Sequence, residues 1–161
     1  MAVIIDGKEV AREKREQIRN RVESLKSQGK TVGLAVIIVG ENPASRVYVN
    51  NKKKACEEVG IKSVEYVLPE NTDEESLLSL IKMLNDNNCI HGILVQLPLP
   101  KDINEDKVIS TIAVEKDVDG FLPNSCFKPC TPLGIREWLK YNKFDFIGKN
   151  VVVIGRSKIV G

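Results

Sequence analysis

Tyr48 and Lys52 stand four residues apart near the end of the stretch Val39-Gly-Glu-Asn-Pro-Ala-Ser-Arg-Val-Tyr-Val-Asn-Asn-Lys52. At 3.6 residues per turn, Ala44, Tyr48, Lys52, Ala55 and Val59 fall on one face of a helix. Lys52 then sits within an apolar stripe, while Lys53 and Lys54 point elsewhere and read as solvated charges. Desolvation there favours the neutral amine, which makes Lys52 a candidate for proton transfer. A lysine that snorkels its ammonium to the helix edge fits the same pattern, and spacing alone favours that plainer reading.

Gln96 follows the apolar run 90–95, in Gly92-Ile-Leu-Val-Gln-Leu-Pro-Leu-Pro100. The carboxyl ends of parallel strands are where open α/β sheets place their ligands, and a glutamine there can both donate and accept. Pro98 and Pro100 stiffen the loop, as the wall of a pocket requires. Asp117 and Asp119 alternate in Lys116-Asp-Val-Asp-Gly-Phe121. Extended, they would share a side and could bind a cation or a polar ring; as turn formers before Gly120 they would do neither. Gly155-Arg-Ser-Lys-Ile-Val-Gly161 follows another apolar run and departs from the Gly-x-Gly-x-x-Gly fingerprint, with Ser157 at the second glycine. Backbone N–H groups at a helix start could still wrap a phosphate there, and Arg156 could pair with it.

The elements that must position these residues alternate along the chain, which predicts an α/β fold. Strands are expected at 3–5, 32–39, 64–68, 90–95 and 149–154. Helices are expected at 8–29, 44–59, from Asp73 as cap through Leu77, Leu80, Ile81 and Leu84, at 103–112, and from Pro132 as first residue towards Lys140. Residues 114–130 read as irregular. A boundary near 142–148 divides a first domain, 1–142, from the beginning of a second, 143–161.

The chain has 161 residues, 42% hydrophobic and 29% charged, an ordinary globular balance. A formal charge of +2, with basic residues spread among acidic ones, argues against a nucleic-acid binder. No apolar run is long enough to span a bilayer, and the first residues lack the basic region of a secretory signal, so a cytoplasmic location is expected. Cys56, Cys89, Cys126 and Cys130 form no Cys-x-x-Cys pair and His91 is the only histidine. No metal site is expected, and the cysteines read as reduced thiols.

The stretches ending at Lys52, Pro100 and Phe121, together with Pro129-Cys-Thr-Pro132 and the turn from Gly155 to Gly161, occur in one order. In that order they closely resemble the bifunctional methylenetetrahydrofolate dehydrogenase/methenyltetrahydrofolate cyclohydrolase family. The resemblance covers nearly the whole chain. It implies a three-layer folate-site domain followed by the start of a Rossmann-like NAD(P)-binding domain, most of which lies beyond Gly161.

By the same resemblance, Tyr48 packs against the folate rings, Lys52 assists proton transfer and water activation, and Gln96 holds that lysine. Asp119 binds the pterin, and Ser45 and Pro98 lie by the site. Gly155, Arg156, Ser157 and Gly161 belong to the cofactor loop, with Arg156 near a 2′-phosphate, so NADP is the implied cofactor and NAD the alternative. Tetrahydrofolate derivatives are the implied substrates and a homodimer the implied assembly. Residues 121–129 are shorter than the family's loop, of which Asn124 is the expected remnant. Two rival readings remain: a non-catalytic folate-binding or interaction fragment, and an unrelated two-domain dehydrogenase with a lysine base.

Overall fold

The computed structural model describes residues 6–157. The expected strand at 3–5 and the cofactor-loop residue Gly161 lie outside the described residues.

Helix α1, Gly7–Ser27, starts at Asp6, whose side chain accepts the N–H of Lys8. Strand β1, Gly33–Val39, follows and is almost entirely buried. Helix α2, Pro43–Val59, opens with Asn42 accepting the N–H groups of Ala44 and Ser45 and with a proline in its first turn, two start signals that reinforce each other. Gly60 ends it in the left-handed conformation, φ 83°, that a C-terminal glycine supplies. Strand β2, Lys62–Leu68, leads to α3, Glu74–Asp86, capped by Asp73 as expected. Strand β3, Gly92–Val95, is followed by the short α4, Glu105–Thr111, and by a 3-10 turn, Val114–Lys116, inside the stretch expected to be irregular. Helix α5, Cys130–Tyr141, begins two residues before Pro132. Pro132 is therefore its third residue rather than its first, a place where its missing N–H still costs no helical bond.

The three strands form one parallel sheet in the order β2-β1-β3. Side chains of β1 alternate between its faces. Ala35, Ile37 and Val39 pack with Leu77, Ile81 and Leu84 of α3 and Val108 of α4, whereas Val36 and Ile38 pack with Val49 of α2. Helices thus cover both faces of the sheet, giving the three layers expected, and β1 is buried on both sides as its unbroken apolar run requires. Ile37 is fully buried. Ile37→Ala is expected to cost about 2–5 kcal/mol through lost burial and the cavity left behind. A chemical denaturation series checks this, and an unchanged midpoint would contradict the packing described.

Residues 149–154 form no strand. Val152 is 84% exposed and Ile154 96%. The apolar, β-branched run was expected to be a buried strand, but no strand among the described residues pairs with it. A parallel strand draws its hydrogen bonds from its neighbours, so the pattern alone does not form one. No helix among the described residues is long and apolar enough to cross a membrane.

Candidate active site

The carboxyl end of β3 delivers Val95, Gln96 and Leu97 to the rim of a cavity of about 480 Å³. Helix α2 supplies Tyr48 and Lys52 from one side. The loop after the 3-10 turn supplies Asp119 and Phe121, and the start of α5 supplies Pro129, Cys130 and Thr131. The cavity thus gathers side chains from four separate segments at the strand end where α/β sheets bind ligands.

Lys52 Nζ donates to Gln96 Oε1 at 3.2 Å, and Gln96 Nε2 donates to the carbonyl of Leu97 at 2.8 Å. The second bond fixes the amide so that its oxygen faces the lysine. The Leu97-Pro98 peptide is cis. On α2 the buried stripe runs through Ser45, Val49, Cys56 and Val59, with Lys52 half-buried beside it. This corrects the expected face: Ala44 and Tyr48 are exposed, and Tyr48 presents its ring to the cavity instead of the core. The core stripe and the cavity stripe adjoin on one helix, and Lys52 lies at their junction.

Asp119 carries the clearest electrostatic signature. Its carboxyl is pushed above the usual carboxylate range, chiefly by burial; the charge of Asp117 adds to the effect, while Lys52 and the Cys130 thiol oppose it. The Cys130 thiol lies 3.9 Å from Asp119 Oδ1 and is itself raised, first by burial and then by that carboxylate. The two aspartates of the motif part company. Asp117 is buried and accepts backbone N–H groups, whereas Asp119 faces the cavity. The turn between them depends on Gly120, at φ 68°. A Cβ there would lie 2.7 Å from the Lys128 backbone and 2.8 Å from the Phe127 carbonyl oxygen. Gly120→Ala is therefore expected to push the 127–129 backbone away and open the cavity wall it supports, lowering both the melting temperature and ligand affinity. Native affinity in a folded Gly120→Ala protein would contradict that packing.

Of the other expected site residues, Ser45 is buried in the first turn of α2, with its N–H on Asn42 Oδ1, and does not line the cavity. Pro98 lines a neighbouring depression with Gly40, Glu41 and Glu70. Val95, Leu97, Phe121, Cys130 and Thr131 line the cavity, although pattern reading gave none of them a role. Position just after a strand end, or just after a motif aspartate, was the signal that could have found Leu97 and Phe121. Gly155, Arg156 and Ser157 follow the exposed run 151–154, and no Cβ added to Gly155 would meet anything within 4 Å. The described residues there form no cradle that would fit a dinucleotide. Among the described residues no group of three or more His, Cys, Asp or Glu could hold a metal ion.

A parallel α/β domain with a lysine, an amide and a buried carboxylate converging at its strand ends is the architecture of a small-molecule enzyme domain. The comparisons with known proteins then specify which. Residues 5–119 match the catalytic domain of tetrahydrofolate dehydrogenase/cyclohydrolase, and residues 129–161 match the NAD(P)-binding domain of the same proteins. The chain belongs to the tetrahydrofolate dehydrogenase/cyclohydrolase family.

It is 55% identical to the bifunctional protein FolD of Geotalea daltonii, over 100% of this chain and 61% of that protein. The crystal structure of the Campylobacter jejuni bifunctional enzyme superposes with a TM-score of 0.94 at 48% identity, over 97% of this chain and 59% of that one. A Trypanosoma brucei methylenetetrahydrofolate dehydrogenase-cyclohydrolase, complexed with NADP cofactor and inhibitor, also gives 0.94 at 35% identity, over 99% of this chain and 58% of that one. The chain thus spans about three fifths of the length of these relatives. The alignment to the Geotalea protein runs over 170 positions, more than the 161 residues here, so that relative carries positions with no counterpart in this chain. Family membership sets aside the unrelated dehydrogenase.

Proposed function

We propose that this chain provides the folate site of an enzyme that oxidises 5,10-methylenetetrahydrofolate with NADP and hydrolyses the resulting 5,10-methenyl form to 10-formyltetrahydrofolate. The observation that supports this best is the convergence of Tyr48, Lys52, Gln96 and Asp119 on one cavity, with Lys52 bonded to Gln96. The flat pterin offers N–H donors that a carboxylate accepts, which suits Asp119. Tyr48 offers a ring face beside the cavity for the ligand's aromatic part.

The hydrolysis follows from these side chains. The methenyl carbon is bonded to two nitrogens and carries their shared positive charge. Water adds to that carbon, and Lys52 Nζ relays its proton away. The C–N5 bond then breaks, N5 takes up a proton, and the formyl group stays on N10. The net reaction consumes one water and releases one proton. Gln96, fixed by its bond to the Leu97 carbonyl, keeps the amine aimed at the reacting carbon. Within this reading, residues 1–142 form the folate domain, the protein acts in the cytoplasm, and it pairs as a homodimer.

Titration with the stable analogue 5-formyltetrahydrofolate tests the proposal. Saturable binding that Lys52 and Asp119 variants weaken or alter is the expected result. No binding at millimolar analogue would overturn the folate reading.

A further inference from the structure

We infer that Asp117 is a positioning residue for Asp119: its buried carboxylate clamps the turn that aims the Asp119 side chain into the cavity. The inference rests on the folate-site reading for its ligand, but its geometry stands apart from it. Asp117 is 1% exposed and does not line the cavity. Its Oδ1 accepts the N–H of Phe121 at 3.3 Å and its Oδ2 accepts the N–H of Leu122 at 2.9 Å. Its carbonyl accepts the N–H of Gly120 at 3.2 Å and the Ser125 hydroxyl at 3.1 Å. Every one of these donors lies just beyond Asp119 in the chain, so the carboxylate closes a loop around Asp119 and Gly120.

The near side of the loop is anchored as firmly. Asp117 bridges in parallel to Ile93 of β3, the strand that carries Gln96 at its end. The preceding Lys116 donates from one Nζ to the carbonyls of Leu84, Asn85 and Asn87, at 2.9, 2.6 and 2.9 Å. A cation on the free carbonyls that end α3 is favoured by the helix dipole. Asn85 ties down the same segment, donating to the Thr111 carbonyl and accepting the N–H of Ala113. Asp119 thus hangs between two anchored points, one on the sheet and α3, the other on Phe121, which itself lines the cavity.

A buried carboxylate is costly to desolvate, but an amide has one acceptor oxygen and could receive only one of the two N–H groups, with its own N–H groups facing the other. What the carboxylate adds is a negative charge beside Asp119. Burial is the main cause that raises the Asp119 carboxyl, and that charge adds to it against the opposing effects of Lys52 and Cys130. Asp117 therefore sets both where Asp119 points and how readily it takes a proton.

Two variants test these effects. In Asp117→Asn one of the two clamp bonds is lost along with the charge, so hydrogen exchange at the Phe121 or Leu122 amide should accelerate, and the carboxyl carbon of Asp119, followed by NMR, should titrate at lower pH than in the native protein. In Asp117→Ala, hydrogen exchange at the Phe121 and Leu122 amides should accelerate at least tenfold, and affinity for 5-formyltetrahydrofolate should fall at least tenfold. Native exchange at both the Phe121 and Leu122 amides in Asp117→Asn would overturn the inference. So would native exchange and native affinity in Asp117→Ala. If Asp117→Ala does not fold, amide exchange in Asp117→Asn decides alone. A native protein that fails to bind the analogue would count against the folate reading, and the exchange and titration results would still decide the role of Asp117.

Discussion

Replacing Lys52 with methionine is expected to abolish hydrolysis of 5,10-methenyltetrahydrofolate. Lys52 is the amine bonded to Gln96 at the cavity. Methionine preserves much of its length and apolar stem but can neither donate nor accept the proton in transit. Loss of a positioned general base typically costs about 10²–10⁴-fold in rate. The stem's packing beside Ser45, Val49 and Cys56 on α2 should survive, so stability should change little. The assay is the decay of the methenyl chromophore, with 5-formyltetrahydrofolate affinity measured alongside. Affinity within about tenfold of native, with the rate reduced to that of buffer, separates chemistry from binding. Native hydrolysis in Lys52→Met would remove the lysine from the mechanism.

Asp119→Asn carries the second large effect, and it runs in opposite directions for binding and for stability. An ionised carboxylate accepting N–H groups of a pterin contributes about 1.5–3 kcal/mol, so its loss should weaken analogue binding roughly ten- to hundred-fold. For stability the sign follows from the raised carboxyl. Burial is the main cause, with Asp117 adding and Lys52 opposing. A carboxyl raised in the folded state holds its proton more tightly there than in the unfolded chain. Its stabilising contribution is full below the ordinary carboxylate range and is lost as pH rises through the raised folded value. At neutral pH the ionised Asp119 therefore weighs against folding. Asp119→Asn should melt at higher temperature than the native protein near pH 7, and the difference should vanish in acid. Analogue affinity of the native protein should fall as acid protonates Asp119, at a pH above that of an ordinary aspartate. A destabilised Asp119→Asn at neutral pH would contradict the burial and charge described.

Much of this site is legible in single residues of the sequence. Asn42, Pro43 and Gly60 mark both ends of α2, and the Tyr48–Lys52 spacing fixes their common side once the helix exists. The unbroken apolar run of β1 announces a strand covered on both faces. Other features are not local. Lys52 and Gln96 meet across 44 positions, and only the pairing of β1 with β3 brings them together. Asp117 and Asp119 alternate like strand residues, but Gly120 turns the chain directly after them, so one carboxylate binds the backbone and the other faces the cavity. Phe121, Leu97 and Cys130 carry no pattern of their own and become wall residues through packing. The run 149–154 shows the opposite failure. Its composition is that of a strand, yet strand formation depends on neighbours that composition does not supply.

The central claim is that one cavity, built from α2, the end of β3, the Asp119 turn and the start of α5, binds a reduced folate. Amide chemical shifts followed through a titration with 5-formyltetrahydrofolate test it most directly. Saturable changes concentrated at Tyr48, Lys52, Gln96, Leu97, Asp119, Phe121 and residues 129–131 are the expected result. Changes centred instead on the apolar groove between α1 and α5, around Val10, Leu133 and Trp138, would place the ligand elsewhere and contradict the account, as would no change at all.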